Sequence, residues 1–132
     1  MTLIEQIEAA DAGSRELDAE IARVFEPERI WLPVMSYGHG VYANANGSAS
    51  MCPAYTTSLD AAMTLVPEGW RLAAMAEHDP KDGKSIVHLV RIGKGYGGQV
   101  DDRRWSNAAT PALALCAAAL RARAANNGDD DD

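Results

Sequence analysis

The sequence predicts a mixed α+β domain in which several helices cover a small, mainly antiparallel sheet. Three observations predict it. Residues 112–125, opened by Thr110-Pro111, are nearly pure helix former behind an N-cap and a proline at the first helical position. Ile86-Val87-His88-Leu89-Val90-Arg91-Ile92 is dense in β-branched residues, and a polar turn containing Pro80 and Gly83 separates it from residues 70–77, as an antiparallel hairpin requires. The 132 residues suffice for one core, and the hydrophobic 47% is rich in alanine, with only three Trp, four Tyr and one Phe, so small side chains on helices must supply most of it.

The elements follow in order. Thr2 and Glu5 form a capping box, and Leu3, Ile4, Ile7 and Ala10 recur at helical spacing, which predicts a short helix over residues 3–10. Gly13 interrupts it. Ser14 caps a second helix whose Leu17, Ile21, Val24 and Phe25 share a face, with Arg15, Glu16, Asp18, Glu20 and Arg23 largely opposite; Pro27 helps to end it. Ile30-Trp31-Leu32-Pro33-Val34-Met35 and Val41-Tyr42-Ala43 read as two strands joined by the glycine turn Ser36-Tyr37-Gly38-His39-Gly40, with Pro33 restricting the first to an edge or a bulge. Residues 44–54 have turn composition and read as a loop.

Thr57 or Ser58 caps a third helix through Leu59, Ala62, Met63 and Val66, which Pro67-Glu68-Gly69 stops. Trp70 opens an imperfectly alternating strand to Glu77, and on the strand that answers it His88 and Arg91 point to opposite faces. Gly93-Lys94-Gly95-Tyr96-Gly97-Gly98 interrupts regular structure, and a further short strand is expected at residues 99–105. On the last helix Leu113, Cys116 and Leu120 share one side. Residues 1–125 are thus expected to form one domain and residues 126–132 a disordered acidic tail.

The net charge is -7, and removing the four aspartates at 129–132 leaves the body at -3. No basic face is offered to a phosphate backbone, so nucleic acid is not an expected partner. The N-terminus lacks the basic and apolar regions of a secretion signal, and no apolar run is long enough to span a bilayer, so a cytoplasmic, membrane-free protein is expected. Asn46-Gly47-Ser48 then reads as a turn rather than a glycosylation site, and Cys52 and Cys116 as free thiols, Cys116 in the core.

Two segments carry a resemblance. Tyr55-Thr56-Thr57-Ser58-Leu59-Asp60-Ala61-Ala62-Met63-Thr64-Leu65-Val66-Pro67-Glu68-Gly69-Trp70 and Ala109-Thr110-Pro111-Ala112-Leu113-Ala114-Leu115-Cys116-Ala117-Ala118-Ala119-Leu120-Arg121-Ala122, in that order and with Glu16-Leu17-Asp18 on an earlier helix, resemble the phage ABA sandwich domain family. Its members are small proteins encoded by bacteriophages and prophages. The resemblance covers roughly half the chain and implies an α/β/α sandwich, a sheet with helices on both faces; it brings no catalytic residues with it. The glycine-rich stretches 37–50 and 93–98 lie outside it and are where a function particular to this chain is expected.

Gly93-Lys94-Gly95-Tyr96-Gly97-Gly98 has the composition of a phosphate-cradling loop, although no Lys-Ser/Thr pair leads into a helix as a Walker motif demands. Tyr37, Tyr42, Tyr96 and Trp105 offer faces for stacking on a planar base, and Arg103 or Arg104 a bidentate donor for phosphate; His39, Asn44 and Lys94 complete the candidate ligand set. The histidines have no metal-ligand spacing, no nucleophile elbow occurs, and no cofactor is expected. Asp101-Asp102 beside Arg103-Arg104 reads as a mutually compensating surface cluster. The expected function is therefore a non-catalytic module that captures a small nucleotide-like ligand such as a host defence signal. The alternative is a protein interaction module acting on a host or phage protein, with a second copy of the chain as a further partner.

Overall fold

A computed structural model describes residues 2–25, 30–31, 41–43, 49–51, 53–76, 83–92 and 100–126. Helix α1 (Leu3–Ala9) starts from the capping box: Thr2 Oγ1 accepts the Glu5 N–H at 3.2 Å and Glu5 Oε1 accepts the Thr2 N–H at 3.3 Å. The bond from the Thr2 backbone holds the Glu5 carboxyl below its ordinary range. Ile7 is the buried residue of this helix. Helix α2 (Arg15–Phe25) is capped by Ser14, whose Oγ accepts the Leu17 N–H at 3.1 Å.

Its buried face departs from the expected one at Asp18, which is fully buried rather than turned to solvent. The carboxylate is held there by charge-assisted bonds from the Thr56 N–H at 2.8 Å, the Thr56 hydroxyl at 2.6 Å and Arg15 Nη1 at 2.8 Å. Helical periodicity assigns the position to the polar face. A partner 38 residues along the chain overrides that assignment.

Strands β1 (Ile30–Trp31), β2 (Val41–Ala43) and β3 (Ala49–Met51) form an antiparallel sheet in that order, with Ile30 opposite Ala43 and Val41 opposite Met51. The pairing of β1 with β2 matches the sequence. Strand β3 corrects the loop reading of residues 44–54: Ala49-Ser50-Met51 has little intrinsic strand preference, and pairing with β2 rather than propensity makes it a strand. The signal that could have found it is Asn46-Gly47, a dipeptide favoured in hairpins.

Helix α3 (Leu59–Met63) has Ser58 as its N-cap, with Ser58 Oγ accepting the Ala61 N–H at 3.2 Å. It ends before the expected Val66 because the chain tightens: Thr64, Leu65 and Val66 donate backbone bonds to Ala61, Ala62 and Met63, three residues back. Gly69, at φ 89°, completes the corner into the second sheet, a conformation that side chains other than glycine rarely adopt.

That sheet comprises β4 (Trp70–Ala76), β5 (Ser85–Ile92) and β6 (Val100–Ala108), antiparallel and in that order. A register shift between Leu72 and Ala74 accounts for the imperfect alternation of β4. Residues directly opposite in an antiparallel ladder share a face. Leu72, Leu89 and Arg104 therefore lie on one side with Val87 and Ser106, whereas His88 and Trp105 lie on the other with Val90, Arg103, Ile86 and Asn107. As predicted, His88 and Arg91 fall on opposite faces. Strand β6 runs to Ala108, beyond the expected end at Trp105, because Ser106, Asn107 and Ala108 continue the ladder against Val87, Ile86 and Ser85.

Helix α4 (Pro111–Asn126) lies across β5 and β6 on the Leu89 face and is flanked by α1 and α3. Thr110 Oγ1 accepts the Leu113 N–H at 3.2 Å, which confirms the cap. Every residue from Ala112 to Leu120 is buried, so the expected apolar stripe through Leu113, Cys116 and Leu120 is in fact a helix enclosed on all sides. Alanine suits that position: its small side chain lets three layers approach the helix, while Leu113 and Leu115 each contribute roughly 1.5–3 kcal/mol by full burial. The helix continues through Asn126, whose Oδ1 accepts the Trp70 indole N–H at 2.9 Å. The result is the mixed α+β domain that the sequence predicts, a small antiparallel sheet packed against helices. Among the described residues no helix is long and apolar enough to cross a membrane.

Candidate functional site

Strand β6 is the outer strand of its sheet among the described residues, and a pocket of about 440 Å³ opens along it. It is lined by Arg103, Arg104, Trp105 and Asn107 of β6, Glu8 of α1 and Arg121 of α4. The volume falls within the roughly 300–1,000 Å³ of small-molecule sites. Three arginines and one glutamate border it, so the lining is cationic on a chain whose net charge is -7.

Each arginine is positioned by a different element. Arg121 Nε donates to Ser106 Oγ at 3.0 Å, while its Nη2 meets both Glu8 carboxylate oxygens at 3.0 and 3.2 Å. These bonds tie α4 to β6 and α1 at the pocket wall. Arg104 Nη2 lies 3.1 Å from Asp102 Oδ2, and Arg91 Nη2 lies 3.6 Å from the same oxygen. Asp102 Oδ1 in turn accepts the Arg103 backbone N–H at 2.7 Å. The Asp102–Arg104 compensation read from the sequence is therefore present, but it is half-buried and recruits Arg91 from the neighbouring strand. Arg91 also stacks its guanidinium 5.4 Å above the Trp70 ring, which fixes the far end of the cluster.

Trp105 is 55% exposed, unusual for so large an apolar side chain. Its ring stacks on His88 of β5 with centroids 6.1 Å apart and an interplanar angle of 20°. The two are direct cross-strand partners, so the sheet register itself sets the orientation of the indole. An oriented aromatic side chain beside arginines is suited to holding a planar, anionic molecule.

Of the candidate ligand residues, the structure brings together Arg103, Arg104 and Trp105 at this pocket. Tyr42 sits in β2, where only its backbone is described, and Tyr37, His39, Asn44, Lys94 and Tyr96 lie outside the described residues. Three lining residues escaped the sequence reading: Glu8, Asn107 and Arg121. Arg121 had a visible signal, as the first charged side chain after the unbroken apolar run 112–120. Asn107 was hidden by the early end assigned to its strand, and Glu8 by a tertiary contact to a residue 113 positions away.

Cys116 is fully buried and donates its thiol to the Tyr55 carbonyl at 3.2 Å. Burial pushes the thiol up to about 12, so it stays protonated at neutral pH and behaves as a core side chain. Among the described residues no group of three or more His, Cys, Asp or Glu side chains is placed to hold a metal ion.

Fold and site together define a small α+β domain with an arginine-lined pocket beside an oriented tryptophan. No protein family, no curated protein and no solved structure matches the chain.

Proposed function

We propose that this chain is a phage-encoded accessory protein that works as a non-catalytic binding module, capturing a small nucleotide-like ligand such as a host defence signal. The observation that carries the reading is that Arg103, Arg104 and Arg121 line one pocket of about 440 Å³ together with Trp105 and Asn107. The arginines supply charge for a phosphate, the indole a surface for a base, and Asn107 a donor and an acceptor for polar edges. The phage setting rests on the resemblance of residues 55–70 and 109–122 to the phage ABA sandwich family, and a cytoplasmic location follows from that setting.

A thermal-shift screen of the full chain against linear and cyclic nucleotides tests the reading. A ligand at one hundred times its dissociation constant adds about 2.7 kcal/mol to stability, which moves the melting temperature by several degrees. No shift with any nucleotide at millimolar concentration sinks it, and recovery of a chemically altered nucleotide replaces capture with catalysis. The second reading, a protein interaction module, is favoured by one observation: Trp105 projects from the sheet more than half exposed. A nucleotide-insensitive protein that binds a host or phage protein through Trp105 would establish it instead.

A further inference from the structure

We infer that Glu8 is a built-in competitor for the arginine that recognises the ligand's anionic group. The inference rests on the anion-binding reading of the pocket. Arg121 is held from two directions: its Nε bonds Ser106 Oγ at 3.0 Å, and its Nη2 bonds Glu8 Oε1 at 3.0 Å and Oε2 at 3.2 Å. The serine contact positions the guanidinium on β6 without cancelling its charge. The glutamate contact supplies a negative group of the same chemical kind as the ligand, on the wall of the same pocket.

Glu8 can leave without moving its helix. Ile7, the preceding residue, is fully buried and anchors α1 in the core, while the Glu8 side chain is about one quarter exposed and borders solvent. Rotation of that side chain therefore lets an incoming phosphate take the place of Glu8 on Nη2, and the Ser106 bond keeps the guanidinium aimed. An occupied pocket then has Arg121 facing the anion with Glu8 displaced. In the empty pocket Arg121 stays engaged by a half-buried ion pair. Glu8 thus sets a threshold: only a group that binds Arg121 better than a carboxylate does gains entry.

The test is Glu8→Gln, which keeps an acceptor for Arg121 and removes the charge. Binding of inorganic phosphate and of the four ribonucleoside 5′-monophosphates is measured by calorimetry on the full chain, in wild type, E8Q, R121A and the E8Q/R121A double variant. The inference predicts binding about fivefold tighter in E8Q, the scale of a partly exposed ion pair, and loss of that gain in the R121A background. Wild-type binding with an unchanged or weaker E8Q overturns it and leaves Glu8 as a support for Arg121. A gain that persists without Arg121 also overturns it, because the effect is then general charge rather than competition. Absence of binding in all four proteins removes the anion-binding reading itself and the inference with it.

Discussion

Thr56 donates its hydroxyl to the buried carboxylate of Asp18 across 2.6 Å, joining helix α2 to the turn that precedes α3. The Thr56 backbone N–H reaches the same oxygen at 2.8 Å, and Thr56 Oγ1 accepts the Ser14 N–H at 2.9 Å. One residue earlier, the Tyr55 carbonyl accepts the Cys116 thiol of α4. A single turn therefore clasps two helices, α2 and α4. These contacts serve packing, while the far end of α4 reaches the pocket on β6 through Arg121.

Asp18→Ala is expected to destabilise the domain by about 3 kcal/mol, because it leaves the buried Thr56 N–H without its acceptor, the Thr56 hydroxyl with only the longer contact to the Ser14 carbonyl, and Arg15 without the Asp18 carboxylate. Urea unfolding measures this. A loss below about 1 kcal/mol would place the clasp outside the core energetics.

Gly13→Ala is expected to cost about 2–3 kcal/mol by crowding the same turn. A Cβ at this position stands 2.3 Å from the Thr56 carbonyl oxygen, a backbone atom that cannot rotate away. Gly69→Ala, where φ is 89° and open space surrounds the new methyl, costs about 1 kcal/mol through backbone strain alone. Chemical denaturation of the two variants side by side separates close packing from conformation.

Alkaline pH gives a third prediction. The Cys116 thiol ionises near 9.0 in the unfolded chain and near 12 in the folded one, because burial disfavours the thiolate and the Asp18 carboxylate adds to it. The folded value is raised, so the contribution is whole below pH 9 and is lost as pH climbs from about 9 toward 12, amounting to ~4 kcal/mol over that window. Melting temperatures of wild type and Cys116→Ala, followed from pH 7 to 11, are expected to converge at the alkaline end. Parallel curves would show that the thiol does not titrate on unfolding.

Much of the fold was legible because its signals are local. Caps at Thr2, Ser14, Ser58 and Thr110 mark helix starts through bonds three residues long, and the β-branched run at residues 86–92 declares β5. What escaped is set by distant partners: Asp18 is buried by Thr56, β3 exists through β2, and α4 is enclosed by elements from both halves of the chain. The site divides in the same way. Arg103, Arg104 and Trp105 adjoin one another in the sequence and were found together, whereas Arg121 and Glu8 reach the pocket only through tertiary packing.

The pocket's residues contribute unequally. Trp105→Ala is expected to weaken nucleotide binding by about 1–3 kcal/mol through lost stacking while leaving stability nearly unchanged, since the ring is mostly exposed. Arg104→Ala is expected to weaken both, because Asp102 then loses its nearer cation.

The most direct measurement is a calorimetric titration of the full chain with linear and cyclic nucleotides, repeated on Arg103→Ala and Trp105→Ala. The account predicts a saturable binding isotherm for at least one nucleotide, about fivefold or more weaker in each variant. Heats that stay at the level of dilution for every nucleotide at millimolar concentration, or an isotherm that both variants reproduce, would contradict it.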